Sequence, residues 1–464
     1  MNDIGVIVLA AGQGTRMKSE IPKVLHRLGG TPLFLHALRA AQKLQPSRIA
    51  VIVGHGAAAV QQAYPGNDLC WVIQEKQLGT AHAVLCAEAT FHRFTGDILI
   101  LSGDVPLIRE STLERLVDHH RRQQAAVTLL TATLDHPQGY GRIVRGDKQQ
   151  MTRIVEEKDA SDLQKQICEV NAGIYVVAAP FLFSGLARVN DQNRQREYYL
   201  PDIVAIALRE NRTVANLQVD DPREMMGINT REELARMEKS LQEEINRKWM
   251  AKGVTLKDPM TIYIEEGAII GKDTMIGPNT HLCGTTVIGE RCRIDGSAYL
   301  TDAHLGDEVH LRFSVVLTSC RVAKGAIIGP FAHLRPGTEL GRNVHIGNFV
   351  EAKEARVGDG TKANHLTYLG DVTIGRDSNI GAGTITCNYD GFQKYKSKIG
   401  DRVQIGSDST LVAPINLGDD VYVATATTVR HDVPDGALVF NDRQERLREG
   451  WTEQKRIKMK GIKK

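Results

Sequence analysis

At 464 residues the chain is too long for one ordinary hydrophobic core, so two or three domains are expected. Its 42% hydrophobic and 24% charged residues exclude a disordered chain, and no apolar run approaches the roughly 18 residues that span a bilayer. A formal charge of +3 is too near neutral to predict a nucleic-acid partner.

The start, Met1-Asn2-Asp3-Ile4-Gly5, has neither the basic region nor the cleavage site of a signal peptide, so a cytoplasmic location is expected. The seven cysteines are scattered, odd in number and form no Cys-x-x-Cys pair; reduced thiols are expected, and zinc is not supported. Scarce aromatics (5%) and 43 glycines point to many tight turns.

From Gly5 to about Asn229 strands and helices alternate. The apolar run Gly5–Gly12 ends in glycine and is followed by a polar loop and a helical stretch, Pro32–Leu44. Further runs follow at Ile49–Val53 and Asp97–Asp104. Continuous β-branched runs separated by helices predict a mostly parallel α/β sheet covered on both faces, with ligands beyond the carboxyl ends of its strands. The loops after Leu9 and Leu101 are therefore where chemistry is expected. Residues 230–250 read as one long, charged helix joining two domains, 1–229 and 251–464. It opens on a capping box, Thr230 to Glu233, and carries Leu234, Met237, Leu241 and Ile245 at helical spacing.

From about Ile262 the period becomes six. Ile270, Ile276, Leu282, Ile288, Ile294 and Leu300 form one run, Val322 to Ile346 a second, and Ile399 to Val429 a third. Such a repeat marks a β-solenoid, in which each aliphatic side chain stacks on its equivalent one turn later. The polar stretch Thr386–Ser397 breaks the repeat, and a loop thrown out of a solenoid more often serves binding than packing.

Leu9-Ala10-Ala11-Gly12-Gln13-Gly14-Thr15-Arg16-Met17 is neither a dinucleotide fingerprint nor a P-loop. Its small residues let backbone N–H groups approach a phosphate or base, and Arg16 and Lys23 supply charge to stabilise a leaving pyrophosphate. Asp104, after Ser102-Gly103 at a strand end, is either a turn or helix-capping Asp before Val105-Pro106 or a Mg²⁺ ligand. His365 is either a structural hydrogen-bonder or a base.

These motifs, with Pro22-Lys23, Gln74, Gln77–Thr80, Gly139–Ile143, Ile154–Asp159, Asn171–Gly173 and Asn229 in order, resemble the sugar-1-phosphate nucleotidyltransferases. Taken with the solenoid and His365–Asp371, the resemblance narrows to the bacterial bifunctional uridyltransferase–acetyltransferases and covers nearly the whole chain. It implies a Rossmann-like nucleotidyltransferase domain and a left-handed parallel β-helix of hexapeptide repeats, joined by the long helix. It implies acetyl transfer from acetyl-CoA to glucosamine-1-phosphate, then uridylyl transfer from UTP to N-acetylglucosamine-1-phosphate.

By the same resemblance Asp104 and Asn229 bind Mg²⁺, with Leu9, Ala10, Ala11, Gly12, Arg16, Lys23, Ser102 and Gly103 around the nucleotide. Gln74, Gly79 and Thr80 surround the uracil, and Gly141, Glu156 and Asn171 the amino sugar. His365 is the acetyltransferase base; Arg335 and Lys353 hold the sugar phosphate, and Tyr368 and Asn379 orient the sugar. Ala382, Asn388, Tyr389, Ser407, Thr425 and Arg443 meet acetyl-CoA, and the solenoids assemble as a homotrimer. Three positions depart from the family: Gln13 stands where it has Lys, Thr425 adds bulk to a small run, and its Arg position falls on Asp442, beside Arg443. The two at the coenzyme end, Thr425 and Asp442, keep open a uridyltransferase whose solenoid serves only assembly. The basic tail Lys455–Lys464 is either a solvated terminus or a contact for coenzyme phosphates or another subunit.

Overall fold

The computed structural model describes residues 3–442 and 444–461. It divides into two compact units, Met1–Glu244 and Ile245–Lys464.

The first unit is built on a nine-stranded sheet: β1 (Ile4–Ala10), β2 (Arg48–Val53), β3 (Cys70–Ile73), β4 (Asp97–Ser102), β5 (Val127–Thr133), β6 (Arg142–Arg145), β7 (Met151–Val155), β8 (Glu169–Ala178) and β9 (Val214–Gln218). The strand order is β9-β5-β8-β4-β1-β2-β3, with β6 pairing β8 and β7 at its margin. Neighbours β4, β1, β2 and β3 are parallel, whereas β8 runs antiparallel to both β4 and β5.

The continuous apolar runs are explained by burial on two faces. Val6, Val8, Val51, Val53, Leu99 and Leu101 feed one core, packed beneath the helices Leu33–Gln42 and Glu110–Arg122. The alternate residues Ile7, Ala50, Ile52, Ile98 and Ile100 feed the other, beneath Thr80–Leu85, Ala179–Leu186 and Asp202–Arg209. Each fully buried aliphatic side chain contributes about 1.5–3 kcal/mol, so a polar replacement in β1 would damage whichever core that residue serves.

The helix Arg231–Ala251 begins with the expected capping box: Thr230 Oγ1 accepts from Glu233 N (3.1 Å) and Glu233 Oε2 accepts from Thr230 N (3.0 Å). Met237 and Leu241 are buried, and Glu238 accepts a hydrogen bond from Gly29 N. No helix among the described residues is long and apolar enough to cross a membrane. All seven cysteines are free.

The second unit is a three-sided parallel β-helix, its short strands forming stacks of eleven, ten and nine. Ile276 pairs with Ile294 one coil on, and Ile294 with Leu311. The first coil is thus 18 residues long and the second 17. That single missing residue, recurring along the chain, separates the first run of the six-residue repeat from the second and, together with one enlarged coil, the second from the third; the stack itself continues through Ala352 and Ala363, both fully buried. Glycine commonly follows the inward aliphatic because the coils touch there: a Cβ on Gly271 would lie 2.5 Å from the Gly289 carbonyl of the next coil. Between Ile380 and its partner Ile405 the coil grows to 25 residues, the extra chain forming the polar loop around Asn388–Lys396. The helix Trp451–Gly461 holds the start of the basic tail, exposed throughout residues 451–460; Ile462, Lys463 and Lys464 lie outside the described residues.

Candidate active sites

In the first unit the carboxyl ends of β1, β3 and β4 open on one cavity of about 290 Å³. Leu9, Ala11, Gly12, Lys23, Gln74, Gly79, Thr80, Ser102 and Asp104 line it, all named from the sequence. Ala10 does not: alternation turns its side chain into the core beneath the sheet. The cavity also takes in Val24, Gln77, Ala83 and Glu197. Of these only Gln77 belonged to a quoted motif; its amide donates to the Ala11 carbonyl at 2.6 Å, joining the β1 and β3 loops.

Local geometry sets the polar groups. Gly14 adopts φ +63°, and a Cβ there would meet Lys23 Cβ at 2.4 Å, so glycine is what lets the loop fold over Lys23. Gly103 N donates to the Leu9 carbonyl (2.9 Å), extending the β1–β4 pairing to the residue before Asp104. The Lys23 ammonium donates to Asp104 Oδ2 and to Asn229 Oδ1 (3.0 Å), and Arg16 reaches the same Asn229 oxygen (2.9 Å). Asn229 is presented by the capping box, since its N–H is also taken by Glu233 Oε2 at 2.6 Å. Asp104 and Asn229 thus share one cation. Among the described residues the Asp104 carboxylate caps no helix; the next helix starts at Glu110. Gln13 is exposed.

Gly141, Glu156 and Asn171 meet in a neighbouring cluster. Asn171 N donates to the Gly141 carbonyl (2.8 Å), and a Cβ on Gly141 would lie 2.9 Å from Glu156 Oε1. Asn171 stands where the β8–β5 register shifts, a bulge that re-aims its amide onto the Tyr175 hydroxyl (2.6 Å). Burial, then the charges of Asp202 and Asp159, push the Glu156 carboxyl up to about 7 against the opposing pull of Arg142. Tyr140, in the loop before Gly141, is hydrogen-bonded through its hydroxyl to the Gly227 backbone and feels the Asp104 charge. The loop therefore connects the two clusters.

In the second unit two groupings form on the β-helix. Arg335 donates to Glu351 at 2.7 Å and lies within electrostatic reach of Tyr368. Lys353 stands on the next coil, and the extruded loop brings back Lys394, which no sequence signal had singled out. Contact with Lys353 holds the Lys394 ammonium below its usual range; Arg335 adds to the repulsion and Asp371 opposes it. Asn388 ties the loop down, donating to Asp371 and, at 3.5 Å, to the Tyr368 hydroxyl. Tyr389 is exposed, its hydroxyl donating to the Gly391 carbonyl at 2.6 Å.

The other grouping is a column. Gly383 N donates to the His365 carbonyl, Asp408 N to that of Ala382, and Ala426 N to that of Ser407. His365, Ala382, Ser407 and Thr425 thereby occupy one corner on successive coils. The His365 ring is exposed, with no side-chain hydrogen bond among the described residues. Asn379 sits on a strand face opposite Lys362 and Gln404; its N–H donates to the Val403 carbonyl at 2.8 Å, and among the described residues no side-chain hydrogen bond joins it to the other named residues. Arg443 lies outside the described residues.

Residues 6–196 match the family described as a MobA-like NTP transferase domain. Residues 267–302 and 319–351 match bacterial transferase hexapeptide repeats, and 397–429 a hexapeptide repeat of succinyl-transferase. The chain is 45% identical over 461 residues to the bifunctional protein GlmU of Pelobacter propionicus, covering 99% of each chain. It is 46% identical to that of Geotalea uraniireducens (97% of this chain, 99% of that one) and 48% identical to that of an Anaeromyxobacter species (97% and 92%).

Proposed function

Because the chain belongs to the family of bifunctional GlmU proteins, we propose that its two units carry one transfer site each, making UDP-N-acetylglucosamine in sequence. The β-helix, left-handed as hexapeptide repeats are, transfers acetyl from acetyl-CoA to glucosamine-1-phosphate. The sheet domain then transfers uridylyl from UTP to the N-acetylglucosamine-1-phosphate so formed.

The observation that carries the nucleotidyl reading is the cation held between Asp104 and Asn229 at the strand-end cavity. In uridylyl transfer an oxygen of the sugar phosphate bonds to the α-phosphorus of UTP as the bond to pyrophosphate breaks. The nucleophile is already ionised, so no side-chain base is needed, and catalysis is positioning and charge. Lys23 and Arg16 supply positive charge at the cavity's edge; Gln74, Gly79 and Thr80 serve the base, and Gly141, Glu156 and Asn171 the acceptor sugar.

The residues fit Mg²⁺. Lys23's ammonium occupies the spot a hard cation would take, both donors are oxygens, and no cluster of three or more His, Cys, Asp or Glu able to hold a metal occurs among the described residues. One carboxylate and one amide suit an ion completed by water and substrate phosphates. Bound there, it would neutralise phosphate charge as pyrophosphate departs.

In acetyl transfer the sugar amine attacks the thioester carbon, His365 takes the amine proton, and the coenzyme thiolate leaves. Arg335 and Lys353 are suited to the sugar phosphate, with Tyr368 and Asn379 orienting the sugar. Asn388, Tyr389 and the column Ala382–Ser407–Thr425 run toward the coenzyme. A homotrimer is part of the proposal: on successive coils Phe313 meets Phe331 edge-on at a centroid distance of 6.4 Å and Phe331 stacks on Phe349 at 5.3 Å, each ring about half exposed, and exposed Leu366 adjoins His365. Such a ladder is a surface for association. Sedimentation should give three times the 51.1 kDa chain mass, and a monomer would remove this part. The substrates imply a cytoplasmic location, which cell fractionation tests.

The whole reading is tested by supplying glucosamine-1-phosphate, acetyl-CoA, UTP and Mg²⁺. UDP-N-acetylglucosamine should appear with free thiol and pyrophosphate. EDTA should stop pyrophosphate release and leave thiol release unchanged. Absence of both half-reactions would end the proposal, and uridylyl transfer that persists in EDTA would remove the metal from it.

A further inference from the structure

Arg142 is an arginine whose side chain is 1% exposed, at the start of β6. Its guanidinium donates to the Tyr140 carbonyl, to Glu157 Oε2 (2.7 Å) and to the Lys165 carbonyl (3.4 Å). The same Glu157 oxygen accepts from Gly139 N at 3.1 Å. Burial works to raise the Glu157 carboxyl, but the hydrogen bonds from Arg142 and Gly139 and the charges of Arg142 and Lys165 outweigh it and hold it below its usual range. One ion pair therefore grips the Gly139–Gly141 loop from both sides, N–H and carbonyl.

As a stabilising device this arrangement is poor. Burying the arginine of an ion pair whose carboxylate stays partly exposed gains little over apolar packing, and the buried Arg142 Nε has no hydrogen-bond partner among the described residues. What it does fix is geometry. The loop carries Tyr140, tied to Gly227 between Asp104 and Asn229 in space, and Gly141, against Glu156 and Asn171.

We propose that Arg142, braced by Glu157, is the positioning residue of the acceptor site, fixing the Tyr140 carbonyl and so setting the Gly139–Gly141 loop against the sugar phosphate. This rests on the reading that the Gly141–Glu156–Asn171 cluster takes that sugar. Arg142 touches no reacting atom and acts through the loop. Its charge has a second consequence, because it opposes Asp202 and Asp159 at Glu156, the carboxylate suited to accept from the sugar. Tyr175 and Tyr199 also feel the Glu156 charge, and Arg153 lines the same cavity.

The test is steady-state kinetics of the full chain with Arg142→Lys, Arg142→Gln and Glu157→Gln, the circular-dichroism melting profile of each variant serving as the measure of intact protein. Arg142→Lys keeps the charge but loses the fork, and should raise KM for N-acetylglucosamine-1-phosphate roughly 10-fold while KM for UTP stays within about twofold. In the unaltered enzyme, KM for the sugar phosphate should fall as pH rises through about 7, as Glu156 ionises. Arg142→Gln should move that inflection to higher pH, whereas Arg142→Lys should not. If the arginine variants do not fold, Glu157→Gln should still raise the acceptor KM selectively. An acceptor KM unchanged in every folded variant, or KM values for acceptor and UTP rising together, would overturn the assignment. An unaltered enzyme without uridylyl transfer would instead sink the reading beneath it.

Discussion

Asp104→Asn should cut uridylyl transfer by roughly 10²–10³-fold, the usual cost of removing one preorganised electrostatic partner of a transition state, and leave acetyl transfer untouched. The substitution is isosteric, and the Asp104 backbone keeps its hydrogen bond from Ile228 N at 3.0 Å, so the loop that presents the side chain has no reason to move. The lost charge is what both Lys23 and a divalent ion require at that point. Residual activity should also become less sensitive to EDTA. The half-reactions separate cleanly because the two groups of residues belong to different compact units. A variant that still transfers uridylyl within threefold of the unaltered enzyme would mean that Asp104 is only Lys23's structural partner.

That pairing was within reach of the sequence only in part. Ser102-Gly103-Asp104 at the end of an apolar run marks a strand-end loop, and the run's unbroken hydrophobicity reports burial on both faces. Asn229 lies 125 positions further on, and nothing in local spacing says that a helix cap will present it to Asp104; only resemblance did. The antiparallel direction of β8 was equally hidden, because Glu169–Ala178 is buried like the parallel strands β1, β2 and β4 and strand direction leaves no periodic trace. The acceptor cluster depends on that strand and its bulge, so its members could not be brought together from pattern alone.

The solenoid was far more legible, since its contacts recur at a fixed short interval. Even there the repeat reads as broken wherever a coil loses one residue or an inward position is filled by Ala352, Ala363 or Thr386 instead of a larger aliphatic. Lys394 escaped notice for a different reason. Its position depends on how the extruded loop folds back across coils, which Asn388 and Asp371 decide through contacts that composition does not encode.

His365→Ala should lower acetyl transfer by roughly 10²–10⁴-fold, the range general-base catalysis contributes, with uridylyl transfer from supplied N-acetylglucosamine-1-phosphate unchanged. Truncation costs the fold little, because the ring is exposed and the corner is held by backbone: His365 accepts from Gly383 N through its carbonyl, not its side chain. The KM for acetyl-CoA should stay near that of the unaltered enzyme, as the column Ala382–Ser407–Thr425 is left in place. Free thiol and acetylated sugar are the quantities to follow, at several pH values. A sugar ammonium can attack only after losing its proton, so the variant should recover activity as pH rises and the amine deprotonates in water without help. Equal loss at every pH would leave His365 as a binding group, and no loss would return the corner to a structural histidine, with acetyl transfer relying on another base.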